Sequence, residues 1–237
     1  DTGFDVGPDG SFEIVVGGPE PADQRGWLPL APDASRLTVR HYWEADEPPS
    51  RPPAPDLGLS IELVTGDVAS PPAAPDDATV AASIRRMAAY LRGRTVETIA
   101  KPGEGDPPPF VSREPHVFPA PVRPGDHALA AGDAHYSMAP YLLGPDDALV
   151  VTARWPECRM ANVSLWNRQM QTFDYLRGRV SLNRRQSVLD DDGTVRVVIA
   201  HRDPGVPNWL TTEGRPFGLV FWRFFLAEGD IATPTAE

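Results

Sequence analysis

Residues 9–16 read Asp-Gly-Ser-Phe-Glu-Ile-Val-Val, and residues 192–199 read Asp-Gly-Thr-Val-Arg-Val-Val-Ile. Each octet is a turn dipeptide followed by alternating residues, the pattern of a strand with one buried face. Phe12, Ile14 and Val16 share one face of the first, and Val195, Val197 and Ile199 share the corresponding face of the second. Downstream of each octet comes a Trp-Leu pair, Trp27-Leu28 and Trp209-Leu210. An aromatic strand with a single arginine follows, Leu37-Thr-Val-Arg40-His-Tyr-Trp43 in one case and Val220-Phe-Trp-Arg223-Phe-Phe-Leu226 in the other. The aspartate-to-arginine spacing is the same, since 40 − 9 and 223 − 192 both equal 31. The intervening tryptophans are displaced by one position, which a single loop insertion explains. Order, spacing and residue class agree, so the reading is one supersecondary unit carried twice. The alternative is two unrelated hairpin regions that share Asp-Gly and a tryptophan.

The second copy has more sequence ahead of its Asp-Gly. Ala148-Leu-Val-Val-Thr-Ala-Arg-Trp155 reads as a strand closed by Pro156, followed by Asn162-Val-Ser-Leu-Trp166 and Phe173-Asp-Tyr-Leu-Arg177. Only eight residues precede Asp9, so the opening strands of the first copy are expected to lie outside this sequence. Between the copies, Pro48 to Leu57 is a proline-rich link, and Leu59 to Val64 is a short strand candidate. Asp76-Asp77 is suited to capping a helix over Ala78 to Ile99, where Val80, Ile84, Met87 and Leu91 fall on one face. Pro102 to Pro124 is a long proline-broken loop.

The expected fold is therefore mainly β, with tandem β-sandwich or jelly-roll-like modules and one intervening α-helix. Residues 1–66 form the C-terminal part of a first, truncated module, and 67–125 hold the helix (78–99) and a Pro-rich linker. Residues 126–237 form the second, more complete module. No βαβ rhythm is present, so a parallel sheet is not expected.

Composition narrows the function classes. Hydrophobic residues at 41% and charged residues at 23% are those of a globular chain, not of a disordered one. The net charge of −11 argues against nucleic-acid binding, which needs a basic patch to displace counterions. The doublets Arg85-Arg86 and Arg184-Arg185 read as solvated surface. With Cys158 as the only cysteine, no intrachain disulfide forms, which is compatible with the cytoplasm or with export. No apolar run reaches the length of about 18 residues that a membrane span requires, so the expectation is a soluble protein.

Several residues in the C-terminal half carry a family resemblance: Asp147-Ala-Leu-Val-Val151, Ser164-Leu-Trp-Asn167, Asp174-Tyr175, Ser181-Leu-Asn-Arg184, Asp192-Gly193 and Asp203-Pro-Gly-Val-Pro-Asn-Trp-Leu210 with Gly214. Residues 133–237 resemble the bacterial domain-of-unknown-function 1214 family, and 1–66 match the closing part of the same pattern. The resemblance implies a jelly-roll β-sandwich and no particular chemistry. The first copy lacks Asp203-Pro-Gly, and Gly26 stands where Asn208 stands in the second.

Candidate site residues follow from side-chain chemistry. Asp203-Pro204-Gly205 is a turn by its φ preferences, with Asn208 bonding backbone beside Trp209. Asp203 and Asn208 are alternatively polar groups on the rim of a pocket floored by Trp209. Arg223, flanked in alternation by Phe221 and Phe225, is exposed at an edge, stacked on rings, or paired with a carboxylate such as Asp174 or Asp203. Trp166 and Asn167 complete the ligand-binding set Trp166, Asn167, Asp203, Asn208, Trp209 and Arg223. A small organic or saccharide ligand is the expected partner. An enzymatic alternative, hydrolase or lyase, would use Asp174 or Asp203 as base near Tyr175 and Arg223. A third reading is a structural, envelope-associated assembly module. No metal-ligand spacing of histidines occurs, so neither metal nor cofactor is expected, and Cys158 reads as a buried, inert thiol.

Overall fold

The structure, a computed structural model, describes residues 3–23, 25–32, 34, 37–40, 42, 44–46, 58–64, 74–97, 106–125 and 130–237. His41, Trp43, His127 and the link 48–57 lie outside the described residues. The chain divides into two units, 1–42 and 43–237. It is mainly β, with one α-helix among the described residues.

In the first unit, β1 (Val15–Val16) pairs in parallel with β2 (Trp27–Leu28). In the second, α1 (Asp77–Arg92) is followed by a single π turn at Gly93–Glu97. Eight strands follow: β3 (Ala134–Leu142), β4 (Ala148–Ala153), β5 (Met160–Trp166), β6 (Ser181–Asn183), β7 (Val195–Ala200), β8 (Trp209–Thr211), β9 (Phe217–Phe225) and β10 (Thr235–Ala236). They form two four-stranded sheets, in the orders β10-β4-β7-β8 and β3-β9-β5-β6. The chain switches sheets repeatedly, so each sheet is assembled from segments distant in sequence.

Period-two alternation decides which side chains meet. Leu149 and Val151 of β4 stand opposite Ile199 and Val197 of β7; Val163 and Leu165 of β5 stand opposite Trp222 and Val220 of β9. All eight are buried in one core, with Tyr141, Leu210 and Phe224. The other face of the β9 sheet carries a second cluster: Tyr136 and Met138 of β3, Phe221 of β9, and Phe110 from the proline-broken segment. The described part of that segment, 106–124, has no regular element but is fixed along β3. The Val122 amide donates to the Tyr136 carbonyl at 3.1 Å, and the Met138 amide donates to the Phe110 carbonyl at 2.7 Å.

Three local expectations are changed by the structure. The helix begins where the capping pair places it, the Asp76 carboxylate accepting from the Thr79 amide at 2.8 Å, but its α portion ends at Arg92. Val80, Ile84, Met87 and Leu91 are all exposed, so the apolar stripe is not covered. Leu59–Val64 joins no ladder and is exposed, because alternation specifies a face but supplies no neighbouring strand. Among the described residues two strand pairs run parallel without an intervening helix, β1 with β2 and β7 with β8. Only two or three residues pair in each, so a short reversing loop suffices where a full parallel sheet needs a long crossover.

The two units share these local devices bond for bond, at a constant offset of 183 residues (192 − 9) as far as the loop. The Gly7 amide donates to the Ser11 carbonyl at 2.8 Å, and the Asp190 amide to the Thr194 carbonyl at 2.9 Å. Gly10 and Gly193 have φ of 84° and 79°. The Ser11 hydroxyl donates to Asp9 and the Thr194 hydroxyl to Asp192, each at 2.7 Å, and these bonds hold both carboxyls below the ordinary aspartate range. Val15 pairs with Trp27 as Val198 pairs with Trp209. The indole N–H of Trp27 donates to the Gly17 carbonyl at 2.8 Å, as that of Trp209 does to the Ala200 carbonyl at 3.2 Å.

Burial, however, separates the units at matching positions. Leu210 is 0% exposed and Leu28 is 45% exposed. Leu210→Ala is therefore expected to cost about 2–5 kcal/mol of unfolding free energy. Leu28→Ala should change stability by no more than about 0.5 kcal/mol. Urea unfolding of the two variants, followed by tryptophan fluorescence, checks the contrast.

Candidate functional site

Asn208 ends the loop between β7 and β8 at a φ of 57°, a left-handed conformation that asparagine tolerates better than most residues. Its counterpart Gly26 adopts the same region, with φ of 65°. Both carbonyls accept from the preceding strand, Asn208 from the Val198 amide and Gly26 from the Val15 amide. The Asn208 side chain then does what Gly26 has no atoms to do. Its Oδ1 accepts from the Val188 amide at 2.9 Å, and its Nδ2 donates to the Val188 and Arg196 carbonyls at 2.7 and 3.0 Å. The residue is buried, and all of this bonding is directed to the chain's own backbone. Asp203 lies at the start of the same loop, where its Oδ1 caps the turn by accepting from the Gly205 amide at 2.8 Å. Trp209 is half-buried, tethered through its indole as described above.

Arg223 lies on the outer face of β9, in register with Tyr136 of β3 and Asn162 of β5. Its guanidinium stands over the rings of Phe221 and Tyr136, 5.2 and 5.7 Å from their centroids. The rings themselves stack at 5.1 Å, and Trp166 tilts against Phe221 at 4.5 Å. Stacking on rings, one of the three placements open to Arg223 in sequence, is present in the structure. The two carboxylates considered as its partners are engaged elsewhere: Asp203 in its turn, Asp174 with Arg177.

Asp174 also accepts from the Leu176 amide at 3.1 Å. The Arg177 hydrogen bond, with smaller help from the backbone, holds its carboxyl below the ordinary aspartate range. Tyr175 beside it is exposed. Asn167 closes the turn after β5, its Oδ1 accepting from the Gln169 and Gln171 amides at 2.9 and 3.1 Å. The structure thus brings Trp166 and Arg223 together on one aromatic face, puts Asp203, Asn208 and Trp209 along one loop, and assigns Asn167 and Asp174 to turns. Cys158 is half-buried, and burial raises its thiol pKa. Among the described residues no group of three or more His, Cys, Asp and Glu side chains has metal-binding geometry, and no helix is long and apolar enough to cross a membrane.

A further cluster escapes sequence reasoning. Arg184 is not a solvated arginine: its Nε and Nη2 grip both oxygens of Glu44 at 2.8 and 3.0 Å. Glu44 is only 8% exposed and Arg184 26%. Two further guanidinium N–H groups reach the carbonyls of Cys158 and Arg159. Glu44 Oε1 also accepts from the Ala161 amide at 2.9 Å, one residue beyond the point where β6 stops pairing with β5. Asn183 donates to the Ala45 carbonyl at 2.9 Å, and Arg185 pairs with Asp46 at 2.6 Å. The stretch 44–46 is thereby fastened along the sheet edge. The only sequence signal is two acids and two arginines in matching order, separated by 140 residues.

Two stability predictions follow from these contacts. Asn208→Ala strips three backbone bonds and puts at positive φ a residue that tolerates the left-handed region less well than asparagine, so a loss of about 2–4 kcal/mol is expected. Asn208→Gly keeps the conformation and should lose less, which urea unfolding of both variants will read. Glu44→Gln leaves the Arg184 charge half-buried without its carboxylate, for an expected loss of about 3 kcal/mol. The double variant Glu44→Gln/Arg184→Met should lose less than the sum of the singles, as coupled partners do in a double-mutant cycle.

Comparison with known proteins places this geometry among relatives. An uncharacterized protein from Burkholderia cenocepacia has a similar crystal structure, with a TM-score of 0.69 and 23% sequence identity. The match covers 100% of this chain and 62% of that one, so this chain spans less than two thirds of that protein's length and shares its fold. The VPA0106 protein from Vibrio parahaemolyticus matches over 48% of this chain and 32% of its own, at 22% identity and a TM-score of 0.38. No curated protein matches. The family described as "Protein of unknown function (DUF1214)" matches residues 1–46 and 149–228. These two stretches are the ones that share the turn, the parallel pairing and the tryptophan tether, and together they make up more than half of the chain, which therefore belongs to the DUF1214 family.

Proposed function

We propose that this chain is a non-catalytic assembly module, built from a duplicated jelly-roll-type β unit, whose polar candidate residues serve the fold. The observation that carries this reading is the disposition of Asn208. Its side-chain bonds go to the backbone of residues 188 and 196, leaving it nothing to offer a substrate. The arginine–aromatic face supports the same reading, since Tyr136, Met138, Phe110 and Phe221 beneath or beside Arg223 are buried together. The hydrolase or lyase reading is disfavoured by Asp174. A general base working near neutrality needs its pKa raised towards the working pH, and that of Asp174 is displaced downward. The duplication is supported by the shared bonds at matched positions and by the two stretches of family match.

A second reading, capture of a small organic or saccharide ligand, draws on one observation. On the outer face, Trp166 Nε1 and Asn162 Oδ1 are buried and have no hydrogen-bond partner, and Asn162 is the cross-strand neighbour of Arg223. Thermal unfolding against a panel of saccharides, small carboxylates and flat apolar compounds separates the two. The assembly reading expects no concentration-dependent rise in the midpoint with any compound. It also expects Arg223→Met and Asn208→Ala to lower the midpoint without ligand, the latter by about 4–16 °C. A rise that the parent shows and folded Arg223→Met lacks would overturn it in favour of ligand capture.

A further inference from the structure

The first unit holds an apolar face that its counterpart keeps dry. Phe12, Ile14, Leu28, Leu37 and Val39 are between 36% and 57% exposed. Their matched positions Val195, Val197, Leu210, Val220 and Trp222 are each 0% exposed. Val6, matched to Leu189, is exposed in both units, so the difference is confined to positions that face the core. Five large apolar side chains concentrated in so short a unit are more than the scattered exposure expected of an ordinary surface.

The second unit shows what covers this face. There β7 is flanked by β8 on one edge and β4 on the other, whereas β1 has only β2 among the described residues. Leu149, Val151 and Ala153 of β4 stand opposite Ile199, Val197 and Val195, whose counterparts are Val16, Ile14 and Phe12. Val163 and Leu165 of β5 stand opposite Trp222 and Val220, whose counterparts are Val39 and Leu37.

We infer that the first unit is an acceptor for a pair of antiparallel strands of the β4–β5 pattern, one adding to the edge of β1 that carries no strand among the described residues and the next to residues 37–39. The register is fixed by the second unit. Apolar residues in alternation on the first incoming strand meet Val16, Ile14 and Phe12, and those on the second meet Val39 and Leu37. Backbone hydrogen bonds along an open edge supply the affinity, and alternate side chains entering the exposed face supply the specificity. This inference rests on the assembly reading above and names the partner's chemistry.

The test is a graft into the full chain: a copy of residues 146–189 replaces Asp1–Val6, recreating ahead of Gly7 the chain order that precedes Asp190. Amide hydrogen exchange is measured at 12–16 and 37–39. Exchange there should slow by about tenfold or more, with β4, β5 and β7 of the second unit unchanged. A control graft with the copied Leu149→Ser, Val151→Ser and Val163→Ser substitutions should restore parental exchange. Unchanged exchange in the first graft, or equal protection by the control, would overturn the inference. So would sedimentation and exchange showing that the parent chain already buries this face by self-association, since the occupant would then be a second copy. None of these outcomes depends on the ligand screen, so the two readings fail separately.

Discussion

The second unit depends on one backbone constraint: the chain must leave β7, reverse, and return beside it in the same direction within an eight-residue loop, 201–208. A left-handed residue at position 208 makes that return possible, and its carbonyl takes the Val198 amide as the first bond of the new pair. Leu210 then enters the core opposite Ile199, while the indole of Trp209 is tied to Ala200. Glycine would satisfy the conformation at lower strain, as Gly26 does in the first unit. Asparagine accepts the strain and offsets it by holding the chain at 188 against 196. The residue pattern that suggested a pocket rim is in this sense a joint.

The second constraint is the fastening of residues 44–46. A carboxylate in so nearly buried a site needs more than a counter-charge, because desolvation consumes most of the Coulombic gain. Glu44 meets the requirement with three hydrogen bonds, two from the planar fork of Arg184 and one from the Ala161 amide. The last of these takes over from the β6 ladder where β6 turns away into the short helical turn at Arg184–Gln186. The ion pair therefore substitutes for a strand and anchors the stretch that immediately follows the first unit in the chain.

How much of this was legible follows from where each kind of information is held. Turn chemistry is local, so Asp9-Gly10 and Asp192-Gly193 could be read directly, as could the helix start at Asp76. Alternation is also local, and it put Val195, Val197 and Ile199 on the core face correctly. Pairing is not local. The strand candidate at Leu59–Val64 has the right pattern without a neighbour, and the stripe of α1 has the right period without a partner. Arg185 is the exposed residue its doublet suggests, but Arg184 is not, because the acid that holds it lies far away in sequence and an isolated doublet resembles any solvated surface. The ring contacts of Arg223 are one of three options that alternation leaves open, and a carboxylate partner such as Asp174 or Asp203 was the favoured one. Tyr136 reaches Arg223 from β3, through a pairing set by the sheet order and not by the local sequence.

The comparison of the two units isolates what hydrogen bonds specify from what burial specifies. Both form the same turn, parallel pairing and indole tether, with donor–acceptor distances that agree within a few tenths of an ångström. These features persist in the first unit although its core-facing residues are exposed, so they are written into the local sequence and do not wait for a core. In the second unit β4 and β5 lie beside β7 and β9 in their sheets, and the side chains of all four strands share one core. Hydrogen bonds here fix direction and register at a small net gain each, whereas removal of apolar area from water is the larger driving force. A unit with the first and without the second has its register specified and its surface unsatisfied. That is the physical condition under which an edge recruits strands.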